Sequence, residues 1–244
     1  MEQNQTMQTS QVESALITGA SQGIGFACAQ WLAQQGCQKL ILTGRNLASL
    51  QQAKSQIETH HPPCEVTIYT CDHSQLEHVM ALAQRLEQSD NLPKAVIANV
   101  GVNPVHELGP KSVVHTSVPL LLDTFQTNVA NTHALLTPFL KHFKRNGGRI
   151  VLVGSQAYQY GVKGQLAYNL SKAALVGYQN TLANEFAKRE VFCHLVNPGV
   201  VKNARTEKLR ANVANLEAVS EANVAQSICD VLHQTDNKNL VINI

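Results

Sequence analysis

Short apolar or β-branched runs alternate along the chain with longer stretches in which apolar residues recur every three or four positions. The runs are Ala15–Thr18, Leu40–Thr43, Val66–Cys71, Ala95–Asn99, Arg149–Val153, Phe192–Val196 and Leu240–Ile242. Amphipathic stretches lie between most of them, at Ile24–Gln35, Leu47–His60, Gln75–Gln88 and Ala173–Arg189. Strand-sized runs separated by helix-sized segments predict parallel strands joined by helical crossovers. Such crossovers are right-handed, so the pattern predicts an α/β fold: a single Rossmann-type, doubly wound parallel sheet of about seven strands with helices on both faces.

No Gly/Ser/Pro-rich linker, internal repeat or low-complexity tract divides the chain, so residues 13–244 read as one domain behind a flexible tail, residues 1–12. Two stretches have little period. Gly101 to Pro119, with Pro104 and Pro110 inside it, reads as a loop with one helical turn, and Gly199 to about Val219 is equally irregular. Both follow predicted strands, at the edge where parallel sheets hold ligands, so they are the expected substrate walls. Tyr158, Tyr160 and His106 fall beside them, as substrate contacts or as surface residues.

Composition narrows the partners. With 244 residues, 44% of them apolar, the chain can bury one substantial core. A net charge of +2 with 15% charged residues argues against nucleic acid and points to a small molecule. The six cysteines contain no CxxC pair and sit in or beside apolar segments, as reduced, buried thiols of an intracellular protein do. Met1 to Ser14 is polar and lacks the make-up of a secretory signal, and no apolar run reaches the roughly 18 to 20 residues that span a bilayer. A cytoplasmic protein without a membrane partner is expected. His60-His61 has no matched acid or cysteine, and no metal site is assigned.

Thr18-Gly19-Ala20-Ser21-Gln22-Gly23-Ile24-Gly25 follows the first strand and opens the first helix. In a phosphate-binding turn one glycine allows the sharp bend, another lets the backbone approach a pyrophosphate, and a third packs helix on strand, leaving helix N–H groups aimed at the anion. Dinucleotide sites usually carry a carboxylate for the ribose hydroxyls about 20 residues later. Here the second strand ends Leu42-Thr43-Gly44-Arg45-Asn46, with no acid. Arg45 either clamps a 2′-phosphate, favouring NADP(H) over NAD(H), or faces solvent. Asp72 either accepts from the adenine amine or is a solvated turn residue. Asn46 and His73, beside these two, complete the candidate adenosine end.

Tyr168-Asn169-Leu170-Ser171-Lys172 begins a helical stretch, and a spacing of four puts the phenol and the ammonium on one face. An unperturbed Tyr titrates near ~10, and positive charge from Lys172, together with that of an oxidised nicotinamide, would favour its phenolate. Ser155 follows the fifth predicted strand, where its hydroxyl either orients a substrate oxygen beside Tyr168 or ties down its own loop. Asn128 falls inside a long helical segment, where asparagine is unfavourable unless its amide has a role; the alternative is a buried amide satisfied by backbone.

From about Glu13 to the end, the chain resembles the short-chain dehydrogenase/reductase family, and within it the reductases of 3-oxoacyl thioesters and of small hydroxy acids and carbonyls. The resemblance rests on the TGxxxGIG turn at Thr18 to Gly25, an NNAG-like strand end at Ala98-Asn99-Val100-Gly101, Asn128, Ser155, YxxxK at Tyr168 and Lys172, and the PG turn in Asn197-Pro198-Gly199. It implies that Tyr168 donates a proton to a carbonyl under reduction, that Lys172 holds the nicotinamide ribose and lowers the Tyr pKa, that Ser155 polarises the carbonyl, and that Asn128 anchors a water linking Lys172 to solvent. Asn99 and Gly101 would line the cofactor cleft, with Pro198, Gly199 and Val201 beside the nicotinamide. It also implies a homotetramer or homodimer built on the long helices that carry Asn128 and Tyr168.

Three departures stand out. Ala98 and Val100 replace the family's first Asn and its Ala. Asn203 replaces a Thr that contacts the carboxamide. Gln22 sits where some NADP-using members carry a basic residue, which leaves the 2′-phosphate to Arg45. Two other function classes use this scaffold: an isomerase or dehydratase that uses the cofactor transiently, and a dinucleotide sensor without catalysis.

Overall fold

The computed structural model describes residues 12–89, 92–203, 206–207, 217–234 and 239–244. Seven strands form one parallel sheet: β1 (Ser14–Thr18), β2 (Lys39–Gly44), β3 (Glu65–Thr70), β4 (Ala95–Ala98), β5 (Gly148–Val153), β6 (Val191–Asn197) and β9 (Val241–Asn243). Their order is β3-β2-β1-β4-β5-β6-β9, and every neighbouring pair is parallel. From β1 the chain winds outward through β2 and β3, then returns to start β4 on the other side of β1. The crevice outside the carboxyl ends of β1 and β4 is therefore the topological switch point. Each expected strand lies within one residue of its predicted bounds.

Alternate strand residues face opposite layers, as a sheet covered on both faces requires. Ala15, Ile17, Val151 and Val153 pack with α1 (Gly23–Gln34), α2 (Leu47–His60) and α9 (Glu221–His233). Leu16, Ile150 and Leu152 pack with α3 (Leu76–Glu87), α6 (Asn131–Asn146) and α8 (Leu166–Glu185). Val12, assigned to the tail by the sequence, is buried in the first of these layers; residues 1–11 lie outside the described residues.

Three features differ from the expected pattern. Helix α8 begins at Leu166, two residues before the helical stretch expected from Tyr168, and the amphipathic period becomes clear only from Ala173 because the first two turns carry the polar Tyr168, Asn169, Ser171 and Lys172. The Gly101–Pro119 loop holds two short turns, α4 (Val105–Leu108) and a 3-10 turn at Val113–His115, before α5 (Val118–Phe125). A small separate pair, β7 (Val201–Lys202) with β8 (Val219–Ser220), closes the base of the second irregular zone. One further turn, α7 (Ala157–Tyr160), follows β5.

Candidate active site

At the first end of the crevice the work is done by main chain. Gly19 and Gly23 hold φ of +64° and +66°, which disfavour any side chain. A Cβ at Gly25 would fall 2.5 Å from the Gly19 carbonyl oxygen and 2.8 Å from Asn99 Nδ2. The turn is braced from both sides. Ala20 N–H donates to Thr43 O (2.9 Å), and Asn99 Nδ2 donates to Thr18 O (2.9 Å) and Gly19 O (3.3 Å). The Thr18 hydroxyl accepts the Asn99 and Val100 amides at 2.9 and 3.0 Å.

Helix α1 then starts at Gly23 after Gln22, with no side-chain cap and no acid in its first turn, whereas α2, α5 and α9 each have an Asn or Ser cap. The Glu221 carboxylate is the acid beside this end, 3.4 Å from where a Cβ of Gly23 would lie; the uncapped N–H groups of the first turn can still bind an anion supplied by a ligand. This donor set, with the close glycine packing, fits the diphosphate of a dinucleotide. Ser21 and Ile24 stand in the same turn, with the Ser21 hydroxyl against Gly44.

The adenosine end mixes ligand candidates with structural residues. Arg45 is exposed at the end of β2 and acts electrostatically on Asp72. Burial raises the Asp72 carboxyl, but hydrogen bonds from the Ser74 amide and hydroxyl and the charges of Arg45 and His78 outweigh it, and the net shift is downward. Asn46 caps α2 by accepting the Ser49 amide at 2.9 Å. The His73 ring is buried against the Thr43 hydroxyl (Nε2 to Oγ1, 2.9 Å), and its carbonyl accepts from Asn131 Nδ2 (2.8 Å). Burial drops the His73 pKa to about 4. Asn46 Oδ1 and His73 Nε2 are thus engaged by the protein, while the Asn46 amide nitrogen stays on the exposed side of its turn.

At the other end, buried side chains converge. Lys172, 3% exposed, donates from Nζ to Val153 O at 2.8 Å and lies 5.7 Å from the centre of the Tyr168 ring. A Cβ at Gly101 would fall 2.9 Å from this Nζ and 3.6 Å from Asn128 Oδ1, so Gly101 keeps lysine and asparagine close to the β4 edge. Asn128 sits in a π-helical turn, Gln126–Ala130, between α5 and α6. Such a turn inserts one residue into the helical ladder and is frequent at functional sites. Its Oδ1 accepts the Val102 amide (2.7 Å), and its Nδ2 donates to Val102 O (2.9 Å) and Ser171 Oγ (2.9 Å). Ser171 donates in turn to Tyr168 O at 2.8 Å, so the loop after β4, the π turn and α8 are held by one chain of bonds.

Burial holds the Tyr168 phenol above its ordinary value, opposed by a hydrogen-bonding interaction with Ser155. It drops the Lys172 pKa to about 8. The lowered Tyr pKa expected from YxxxK is therefore not present in the protein alone: the ammonium is directed at the Val153 carbonyl, and enclosure dominates. Ser155 itself is anchored by its amide, which donates to Asn197 Oδ1 (3.1 Å), and its hydroxyl accepts the Ala157 amide (3.2 Å).

The PG turn closes the third side. Pro198 O accepts the Gln156 amide (2.9 Å), and Gly199 N–H donates to Ile244 O (2.6 Å). Val201 is buried in β7, and its carbonyl accepts from the Thr206 hydroxyl, while Asn203 Oδ1 accepts the Thr206 amide at 3.1 Å. Residues 204–205 and 208–216 of the second irregular zone lie outside the described residues. Beside Tyr168 a pocket is lined by Pro104, Val105, Leu108, Leu120 and Leu166. Tyr160 is exposed.

Sequence reasoning missed Thr18, Ser171 and Asn197 as members of the site. Ser171 carried a usable signal, since three residues after Tyr168 it shares that helix face. Thr18 and Asn197 owe their roles to contacts across the sheet that no local spacing reveals.

Residues 13–214 match the family model described as short chain dehydrogenase. Over 200 residues the chain is 29% identical to the 3-oxoacyl-(acyl-carrier-protein) reductase FabG of Buchnera aphidicola, covering 82% of this chain and 78% of that one. It is 27% identical over 194 residues to the 3-oxoacyl-(acyl-carrier-protein) reductase of Mus musculus, covering 80% and 78%. The solved structure of L-sorbose reductase from Gluconobacter frateurii, complexed with NADPH and L-sorbose, matches with a TM-score of 0.84 over 98% of this chain and 97% of that one. Its identity of 19% makes that likeness one of fold.

Proposed function

The chain belongs to the short-chain dehydrogenase family, NAD(P)-dependent oxidoreductases of CH–OH and C=O groups, and from that premise we propose that it uses NADPH to reduce the carbonyl of a small molecule, with Tyr168 as the proton donor. The observation that carries this reading is the buried ammonium of Lys172 beside the Tyr168 phenol, on the same carboxyl edge of the sheet as the uncapped glycine turn. A bound dinucleotide would supply the hydride and, once oxidised, a positive charge.

The chain's own residues do the rest. The Gly19–Gly25 turn and the first amides of α1 hold the diphosphate, and Arg45 pairs with the 2′-phosphate. Asn99, Gly101 and Lys172 would hold the nicotinamide ribose, and Pro198, Gly199, Val201 and Asn203 would hold the ring. Ser155 donates a hydrogen bond to the substrate oxygen and orients it toward Tyr168, whose phenol gives up its proton; such a positioned acid contributes typically about 10²–10⁴-fold. Asn128 fixes Val102 and, through Ser171, the turn that carries Tyr168, and it anchors the water through which Lys172 returns the proton.

The pocket beside Tyr168 mixes apolar side chains with Asn103, Lys111, Thr116 and Gln165, which leaves room for a substrate with both hydrocarbon and polar parts, and the names of the matched relatives put 3-oxoacyl thioesters first on the list to try. Val118, Leu122 and Phe125, spaced along one face of α5, and Leu170 on α8 are exposed, which supports association of two or four copies through these helices. Among the described residues no helix is long and apolar enough to cross a membrane. All six cysteines are free and buried, consistent with residence in a reducing compartment.

The test is NADPH consumption across ketones, aldehydes, quinones and acyl thioesters. Stoichiometric loss with any of them supports the reading. Tight dinucleotide binding without consumption by any would overturn it.

A further inference from the structure

Three successive amides after β5 find their acceptors on β6 and the turn that follows it. Gly154 N–H donates to Val196 O at 2.7 Å, and Gln156 N–H to Pro198 O at 2.9 Å. Between them Ser155 N–H donates not to main chain but to the side chain of Asn197, at 3.1 Å. At that one step a side chain stands in for the backbone acceptor. Asn197 is 0% exposed, and its Nδ2 has no hydrogen-bond partner among the described residues. A buried unpaired donor costs roughly 1–3 kcal/mol, so packing alone favours an apolar residue here. What an amide adds is its acceptor oxygen.

Gly154 shows how tightly that oxygen is placed. A Cβ at residue 154 would fall 1.9 Å from Asn197 Oδ1, so the amide occupies the space of the missing side chain. The Asn197 main chain is fixed as well, paired with Asn243 of β9 and accepting the Ile244 amide at 3.1 Å.

We propose that Asn197 is a positioning residue for the reaction: its Oδ1 fixes the Ser155 main chain, and through it the hydroxyl that faces Tyr168. This rests on the roles proposed above for Ser155 and Tyr168. Two polar groups face the phenol, Ser155 from the loop after β5 and Lys172 from α8. Releasing the serine removes a donor that favours the phenolate, and the lysine remains.

The experiment compares Asn197→Ala, Asn197→Asp, Gly154→Ala and Tyr168→Phe with the wild type, reading kcat, KM, NADPH affinity and the pH dependence of alcohol oxidation. Asn197→Ala lowers kcat roughly ten- to a hundredfold while NADPH affinity holds. The rising limb of its pH profile moves to higher pH by about one unit, because oxidation needs the phenolate. Gly154→Ala, which displaces the amide without removing it, shifts the profile in the same direction, and decides the matter if Asn197→Ala does not fold. Asn197→Asp keeps the acceptor oxygen and recovers most of kcat.

A wild-type kcat and pH profile in Asn197→Ala overturns the proposal. So does equal loss in the Ala and Asp variants with failing NADPH affinity, which would mark a general structural role. If Tyr168→Phe keeps its turnover, the reading of the whole site falls; if it is inactive and Asn197→Ala is normal, only this inference does.

Discussion

The turn after β1 and the cluster around Tyr168 lie at two ends of one crevice, yet they are made of different material. The first is built from backbone: glycines that tolerate no Cβ, an uncapped helix start, and carbonyls braced by Asn99. The second is built from buried side chains, Lys172, Asn128 and Ser171, each holding another element in place. A site that must grip a long polar ligand needs many fixed donors and little specificity of side chain. A site that must move one proton needs a few groups with altered acidity, which burial, neighbouring charge and hydrogen bonds provide together. Damage should therefore show as lost binding at one end and lost turnover at the other.

The largest effect expected is at the chemical end. Tyr168→Phe removes the proton donor and should lower kcat by about 10²–10⁴-fold, while NADPH titrated by fluorescence binds as in the wild type. Loss of both together would mean that the two ends are not separable.

His73 sharpens the contrast from the other side, as a buried side chain at the binding end with a structural task. It stays neutral in the folded chain down to about pH 4, whereas in the unfolded chain it takes up a proton near 6.5. Between those values the unfolded state binds more protons, so stability is present at neutral pH and falls as pH drops. About 3 kcal/mol should be lost by pH 4 from this group. Urea denaturation of His73→Gln at pH 7 and pH 4.5 should show a flatter dependence than the wild type.

Gly25→Ala tests the backbone end directly. Its Cβ would fall 2.5 Å from the Gly19 carbonyl, and relief of that clash should cost about 1–3 kcal/mol in thermal or urea unfolding, together with most of the NADPH affinity. The smallest effect is Arg45→Ala. An exposed guanidinium on a phosphate should be worth about tenfold in NADPH affinity, with NADH unaffected. Equal losses for both dinucleotides would discard the clamp.

The same contrast explains what was legible in the sequence. The seven strands, the glycine turn and the Tyr168–Lys172 pair show in local pattern, because period two, period 3.6 and a four-residue spacing are all near-neighbour facts. The tasks of Thr18 and Asn197 depend on partners 81 and 42 residues away. The raised phenol of Tyr168 depends on enclosure by the whole fold, and a short motif carries no information about burial. Asn46 and His73 were placed near the adenosine end by position alone, and the structure gives their side chains other partners, a helix cap and a threonine hydroxyl.

The most direct test of the central claim follows a single atom. With NADPH carrying deuterium at both C4 positions, reduction of a ketone by the wild type should place one deuterium on the carbinol carbon for each NADPH consumed, and Tyr168→Phe should slow that transfer about 10²–10⁴-fold while still binding the dinucleotide. Product that forms without deuterium, with the NADPH returned intact, would contradict the account and identify transient use of the cofactor instead.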